Sequence, residues 1–306
     1  MSRTNALPLA ILITASQLPA QLNTTAEDPE LTLYTGAQLV VLNAGVQNGA
    51  GANVKGLTAQ NFQVFEDGHL QSIKQFAAED RPVTLGIVVD ASGSMRTRQA
   101  QVVTAALSFV RASNPADEIF VVNFNDRAFT GLPPGTAFSS DPRELRDALL
   151  GRKPEGRTAL YDALILATEH LARGKWENKA LLVISDGGDN NSRHSLAQTI
   201  HAIQTSGAGV YTIGLFDPEE PEHNLGTLRH FAKLSGGESF TPMDIADIKS
   251  LCLRIAEDIR ASYTIAYTPP QPDQHIALRK IRLLASAPDV GKLKVRTRTS
   301  YILGDR

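Results

Sequence analysis

The chain has 306 residues, 42% of them hydrophobic and 20% charged, with 30 basic against 32 acidic side chains. That composition is globular, with material for one large domain or two smaller ones. Near neutrality without a long basic run gives no ground for a nucleic-acid partner. A single cysteine, Cys252, excludes an internal disulfide and fits either redox compartment.

Residues 1–20 read as a secretory signal peptide. In "MSRTNALPLAILITASQLPAQ" one positive residue, Arg3, precedes an apolar run from Ala6 to Ala15, and Ala15, Ser16 and Ala20 offer small residues for cleavage. The run is too short for a bilayer, which needs about 20 residues, so export to the periplasm or beyond is expected, with no membrane span in the mature chain. Residues 21–80 comprise a polar linker, "QLNTTAEDPE", and a β-rich segment. In that segment "FQVFEDGHLQSIKQF" gives two short strand-like runs around Asp67-Gly68, a hairpin signal.

From Pro82 the pattern alternates between strand and helix. "VTLGIVV" is continuously apolar and β-branched, as in a strand covered on both faces. A helix over 96–112 follows, with Val102, Val103, Ala106, Leu107 and Val110 on one face. "EIFVVNF" is the second strand. "DPRELRDALL" opens a helix with Asp141 as cap and Pro142 in the first turn. "TALYDALILATEHLAR" is a helix, "KALLVISD" a buried strand, and "HSLAQTIHAIQTSGAG" a glycine-ended helix leading into "VYTIGLF". A helix around "LGTLRHFAKLSG", the strand "ESF" and a helix over 245–260 complete residues 81–260. The fold class is α/β: a doubly wound, mostly parallel sheet with helices on both faces, Rossmann-like in its layers. Residues 261–306 return to strands, "SYTIAYTPP", "ALRKIRLLASA" and "KLKVRTRTSYIL", the last two joined by a turn at 289–291. Pairing of these with the N-terminal β-rich segment into one small sheet or sandwich is the economical arrangement.

Ligands of open parallel sheets sit beyond the carboxyl ends of the strands, where strand order reverses. Asp90 ends one deeply apolar strand, Ser92 and Ser94 follow it in the turn, Asp186 ends another, and Thr158 lies in "GRTAL" at the start of a helix. Two carboxylates and three hydroxyls supply only oxygen, which suits a hard divalent cation, Mg²⁺ above all, with Mn²⁺ or Ca²⁺ as alternatives. Neutral hydroxyl ligands leave such an ion much of its charge, so an incoming carboxylate completes its shell.

"DASGSM", "GRTAL" and "ISDGGDN", in this order along a β/α chain, resemble a von Willebrand factor A domain. The resemblance implies a metal-ion-dependent adhesion site in which Ser92, Ser94 and Thr158 ligate the metal, and Asp90 and Asp186 bind it directly or through water. Arg157 departs from the family's usual Gly-Gly-Thr and either narrows access or attracts an acidic ligand. The stretch "GLTAQNFQVFEDGHLQSIKQF" and the ending "YTIAYTPP...RKIRLL...KLKVRTRTSYI" are similar to secreted bacterial VWFA-related proteins frequent in Acidobacteria. What this implies is a non-enzymatic, metal-dependent binding module whose partner is a protein or peptide offering an Asp or Glu.

Three other readings stand beside it. Asp90 and the serines serve as helix cap and turn residues in a bland one. A structural cell-envelope protein would use its flanking β unit without metal. A haloacid-dehalogenase-type hydrolase would need a second acid two residues after its nucleophile, where this chain has Ser92. Asp189 and Asn190 are expected in turns or caps, and His170, His201 and His230 in structural positions. Arg157 and the loops 125–134 and 217–224 are expected to shape the ligand surface. The sequence leaves the oligomeric state open.

Overall fold

Regular alternation of buried and half-exposed side chains makes Val40–Gln47 the first strand, β1. The computed structural model describes residues 39–78, 80–215, 224–270, 278–288 and 290–302. The expected leader and linker, residues 217–223 of one expected ligand loop, and Asp289 lie outside them.

Phe62–Glu66 (β2) and His69–Gln71 (β3) form a hairpin. Its two turn residues, Asp67 and Gly68, both have positive φ (48° and 86°), as a two-residue type I′ turn requires. The second strand-like run is not one strand. It breaks at Ser72, and Ile73–Ala78 (β4) leaves β3's sheet to join another. A continuous strand could serve only one sheet; the break lets consecutive residues serve two.

The α/β unit follows: β5 (Thr84–Asp90), α1 (Gln99–Ala112), β6 (Glu118–Phe124), β7 (Ala128–Thr130), α2 (Pro142–Leu149), α3 (Leu160–Leu171), β8 (Lys179–Ser185), α4 (Leu196–Ser206), β9 (Gly209–Gly214), α5 (Leu225–Ser235), β10 (Ser239–Phe240) and α6 (Ile248–Arg260). The strands lie in the order β10-β9-β8-β5-β6-β7, parallel except for β7. The fold is therefore the expected α/β one, with one unexpected antiparallel edge: Ala128–Thr130 lies inside a stretch read as loop. β5, β6 and β8 are buried almost throughout, and α1 turns Val102, Val103, Ala106, Leu107 and Val110 inward. Cys252, on α6, is fully buried in the same core. The chain passes from β5 to β6 on one side and later returns to β8 on the other, so strand order reverses beside β5. Among the described residues no helix is long and apolar enough to cross a membrane.

The remaining strands are β11 (Tyr263–Tyr267), β12 (Leu278–Ala285), β13 (Lys294–Arg296) and β14 (Ser300–Ile302). Two antiparallel four-stranded sheets, β13-β1-β11-β4 and β14-β12-β2-β3, enclose one apolar core around Leu42, Val64, Tyr263, Ile265 and Leu283. Each sheet draws strands from both flanks of the α/β unit. At the centre Glu66, 1% exposed, accepts the hydroxyls of Tyr267 (2.6 Å) and Tyr301 (3.0 Å), with Arg279 Nε at 3.9 Å. Tyr267→Phe removes one donor from a buried carboxylate, and thermal unfolding should show a loss of about 1–3 kcal/mol.

The sandwich and the α/β unit are stitched together along 296–300. Arg296 pairs with Asp258 on α6 and, at 3.0 Å, with Glu238. Thr299 N donates to Leu234 O on α5 (3.1 Å), and Gln204 Nε2 on α4 donates to Ser300 Oγ (2.9 Å), while Arg298 Nη2 ties the same segment to the Val41 carbonyl within the sandwich (2.8 Å). Gly236, at φ 85°, ends α5 where the backbone of Thr297 passes too close for any Cβ.

Candidate metal centre at the strand ends

The site begins where β5 stops. The Ala91 N–H still pairs with Phe124 O (2.8 Å), so Asp90 is held to the end of the sheet. Ser92 is extended (φ −71°, ψ 171°) and Gly93–Met95 make a 3₁₀ turn, with Met95 fully buried as its apolar plug. This turn presents Ser92 and Ser94 with their hydroxyl oxygens 3.1 Å apart.

Four of the five expected side chains join one hydrogen-bond network. Asp90 Oδ1 accepts the Ser92 N–H (2.8 Å) and Oδ2 accepts the Ser185 hydroxyl (2.7 Å). Asp186 Oδ2 accepts the Ser94 hydroxyl (2.9 Å), and Oδ1 accepts the Gly188 N–H (2.9 Å). Thr158 reaches the same rim through backbone contacts. Gly93 N donates to Gly156 O (3.1 Å) and Glu155 N to Ala91 O (3.0 Å), so the two loops run side by side. Thr158 N donates to Asn190 Oδ1 (2.9 Å), and its carbonyl accepts the N–H groups of Asn190 and Asn191 (3.0 and 3.1 Å).

Sequence reasoning missed Ser185, the partner that orients Asp90. Its signal is a lone hydroxyl closing the apolar run "ALLVIS". It also missed Asp126, which braces three loops: Oδ1 accepts Arg157 N–H (2.9 Å), and its carbonyl accepts Asn191 Nδ2 (2.7 Å). Gly156, at φ 78°, lies so close that a Cβ would stand 2.5 Å from Asp126 Oδ2. Gly156→Ala should therefore cost about 1–3 kcal/mol in thermal unfolding and shift the loop that carries Thr158. Asp189 has a cap role: its Oδ1 accepts Tyr161 N–H at the start of α3 (3.2 Å) and the Ser192 hydroxyl (2.5 Å). Of the histidines, His170 is buried, stacked on Phe120 with centroids 4.3 Å apart, and its Nε2 lies 2.7 Å from Ala137 O; His201 and His230 are exposed. The surroundings of His170 are those of a packed core residue.

Burial pushes the Asp90 carboxyl up to about 7, and the charge of Asp186 adds to the effect. No Lys, Arg or His among the described residues pairs with either carboxylate. Nor does any group of three His, Cys, Asp or Glu gather as a metal cage among them. The rim offers two carboxylates and hydroxyls instead. Adjacent buried carboxylates with no basic partner among the described residues fit a hard divalent cation, which would relieve their repulsion.

Residues 85–188 match the family model for the von Willebrand factor type A domain. No curated protein sequence matches the chain. Among solved structures, a von Willebrand factor type A protein from Catenulispora acidiphila aligns over 89% of this chain and 76% of its own, at 15% identity and a TM-score of 0.54. Proximal thread matrix protein 1 from the mussel byssus, with a zinc-occupied metal-ion-dependent adhesion motif, aligns over 63% of this chain at 16% identity and a TM-score of 0.51. The chain spans about half of that protein's length (49%). At these identities the two structures show the fold alone. Residues 85–188 thus resemble the von Willebrand factor type A domain in sequence, and the chain shares its fold with both solved structures.

Proposed function

We propose that this protein is an exported binding module that captures a protein or peptide carboxylate on a divalent cation at the rim. Asp90, Ser92, Ser94, Thr158 and Asp186 would hold the ion, with Mg²⁺ as the expected metal. The bound ion would supply an electrophilic position for a ligand oxygen. The chain's own residues do the rest. Ser185 and the Ser92 N–H orient Asp90, the Asp186 carboxylate fixes the Ser94 hydroxyl, and Asn190 holds the Thr158 backbone. The observation that carries the reading is the network joining Asp90, Ser92, Ser94 and Asp186 on adjacent strand ends, with no basic partner among the described residues. The family supports it, since its members are generally binding modules, often metal-dependent. Export rests on the leader-like first 20 residues.

Calorimetric titration of Mg²⁺ and Mn²⁺ into the protein tests this directly, beside an Asp90→Ala control. Binding with a dissociation constant near 10⁻⁴–10⁻³ M, lost in the control, is expected. Equal heats from both proteins would overturn the assignment. They would leave the structural reading, in which the β-sandwich makes the contacts.

A further inference from the structure

The chain as a whole is close to neutral, but the described residues of the rim around the proposed metal centre carry an excess of basic side chains. Arg96 follows the serine turn, Arg127 follows β6, and Arg152, Lys153 and Arg157 lie on the loop that brings in Thr158. Arg193 lies in the loop after β8, and all six are exposed. None of them pairs with a carboxylate among the described residues. On these same loops the exposed described carboxylates are Asp126 and Glu155. Residues 216–223 lie outside the described chain and do not enter this balance.

The loops that carry these cations are braced. Asp126 ties the loops of Arg127, Arg157 and Arg193 together through its bonds to Arg157 N and Asn191 Nδ2. Arg152 lies over the Phe129 ring, 4.5 Å from its centroid, and Arg96 Nε reaches Pro154 O at 3.5 Å. Guanidinium groups carried on braced loops and open at their tips accept carboxylates in forked pairs.

We propose that this basic collar selects an acidic segment, a stretch of partner polypeptide carrying several carboxylates, over a ligand that offers one. The proposal rests on the metal-centre reading for the central carboxylate only; the collar would take the flanking ones. An interleaved pair of acids, Asp126 and Glu155, and the carboxylates Asp90 and Asp186 at the centre disfavour a continuous phosphate backbone, so a peptide is the fitting occupant.

Two immobilised peptides test it: one Asp flanked by four Glu, and the same Asp flanked by four Gln. In Mg²⁺ at low salt the Glu peptide should bind about tenfold more tightly, since each exposed pair adds little and several add up. Raising the salt to 0.5 M should collapse that ratio, because screening then acts over a few ångströms. The variant R96Q/R127Q/R157Q/R193Q should lose the ratio while keeping its Mg²⁺-induced thermal shift. Equal binding of the two peptides by the wild type, a ratio undiminished in the variant, or single-stranded DNA captured as tightly as the Glu peptide would each overturn the proposal. Removing metal with a chelator separates the two readings. If capture of the Gln peptide does not depend on metal, the metal reading fails, while the ratio between peptides still decides the collar.

Discussion

Replacing Asp90 by Asn will raise the melting temperature of the metal-free protein above pH 7 and abolish the further rise that Mg²⁺ gives the wild type. The carboxyl titrates at about 7 in the fold against 3.8 in a free chain. Below pH ~4 it is protonated in both states, and its environment costs nothing. Between pH ~4 and ~7 the unfolded chain ionises while the fold still holds the proton, so the wild type loses stability as pH rises. Every tenfold change in proton affinity is worth about 1.4 kcal/mol, which puts the full loss on the order of 4 kcal/mol. Asn carries no charge and escapes that loss, and its carbonyl can still accept the Ser92 N–H. It also removes an anionic ligand, so Mg²⁺ no longer stabilises; a site at 100 times its dissociation constant gives the wild type about 2.7 kcal/mol. Scanning calorimetry at pH 5 and pH 8, with and without Mg²⁺, checks both halves. A variant no more stable than wild type at pH 8 would show that the buried charge is already compensated.

Arg296→Ala will destabilise the protein by about 3–5 kcal/mol, or roughly 10 °C in melting temperature. Arg296 comes from β13 of the sandwich and pairs with Asp258, which is 2% exposed on α6 of the α/β unit. It is also the bridge to Glu238, which Arg254 holds from the other side at 3.1 Å. Truncation leaves the buried Asp258 carboxyl without its cation, and its second oxygen, Oδ1, has no hydrogen-bond partner of its own. Most of the expected cost is that stranded charge, so the double variant R296M/D258L should recover most of the loss. If the double variant is as unstable as R296A, the contribution of this joint lies in its packing rather than its charge.

How far the chain could be read in advance follows from what each element needs. β5, β6 and β8 are buried on both faces, so their sequences carry an unbroken apolar run that points to a covered parallel strand. The helices show their inward stripe for the same reason. The edge strand β7 has three residues, none of them buried, and no such signature. The hairpin turn is legible because positive φ at Asp67 and Gly68 restricts the residues that fit. The crossing at Ser72 depends instead on which sheet each side of it joins. Charged strand residues mislead most: Arg279 and Glu66 are buried, although alternating charge in "LRKIRLL" suggests a wet face. At the rim, strand-end position marks Asp90 and Asp186, whereas Ser185 and Asp126 matter through contacts with residues 95 and 31 positions away.

The division of the sandwich between the two flanks of the α/β unit also sets an order of assembly. During synthesis β1 to β4 emerge first, yet β1 and β4 pair with β11, and β2 pairs with β12. Leu57 N and the Tyr263 hydroxyl that it meets are 206 residues apart in the chain. Closing a flexible loop of that length is entropically costly and slow. Once the intervening α/β unit has folded, Thr84 and Arg260 are held in a fixed relation, and the effective loop shrinks to the short tethers on either side. Nascent β1–β4 therefore present unpaired edges until the last strands leave the ribosome, which makes these early strands the segment in which chaperone binding should concentrate.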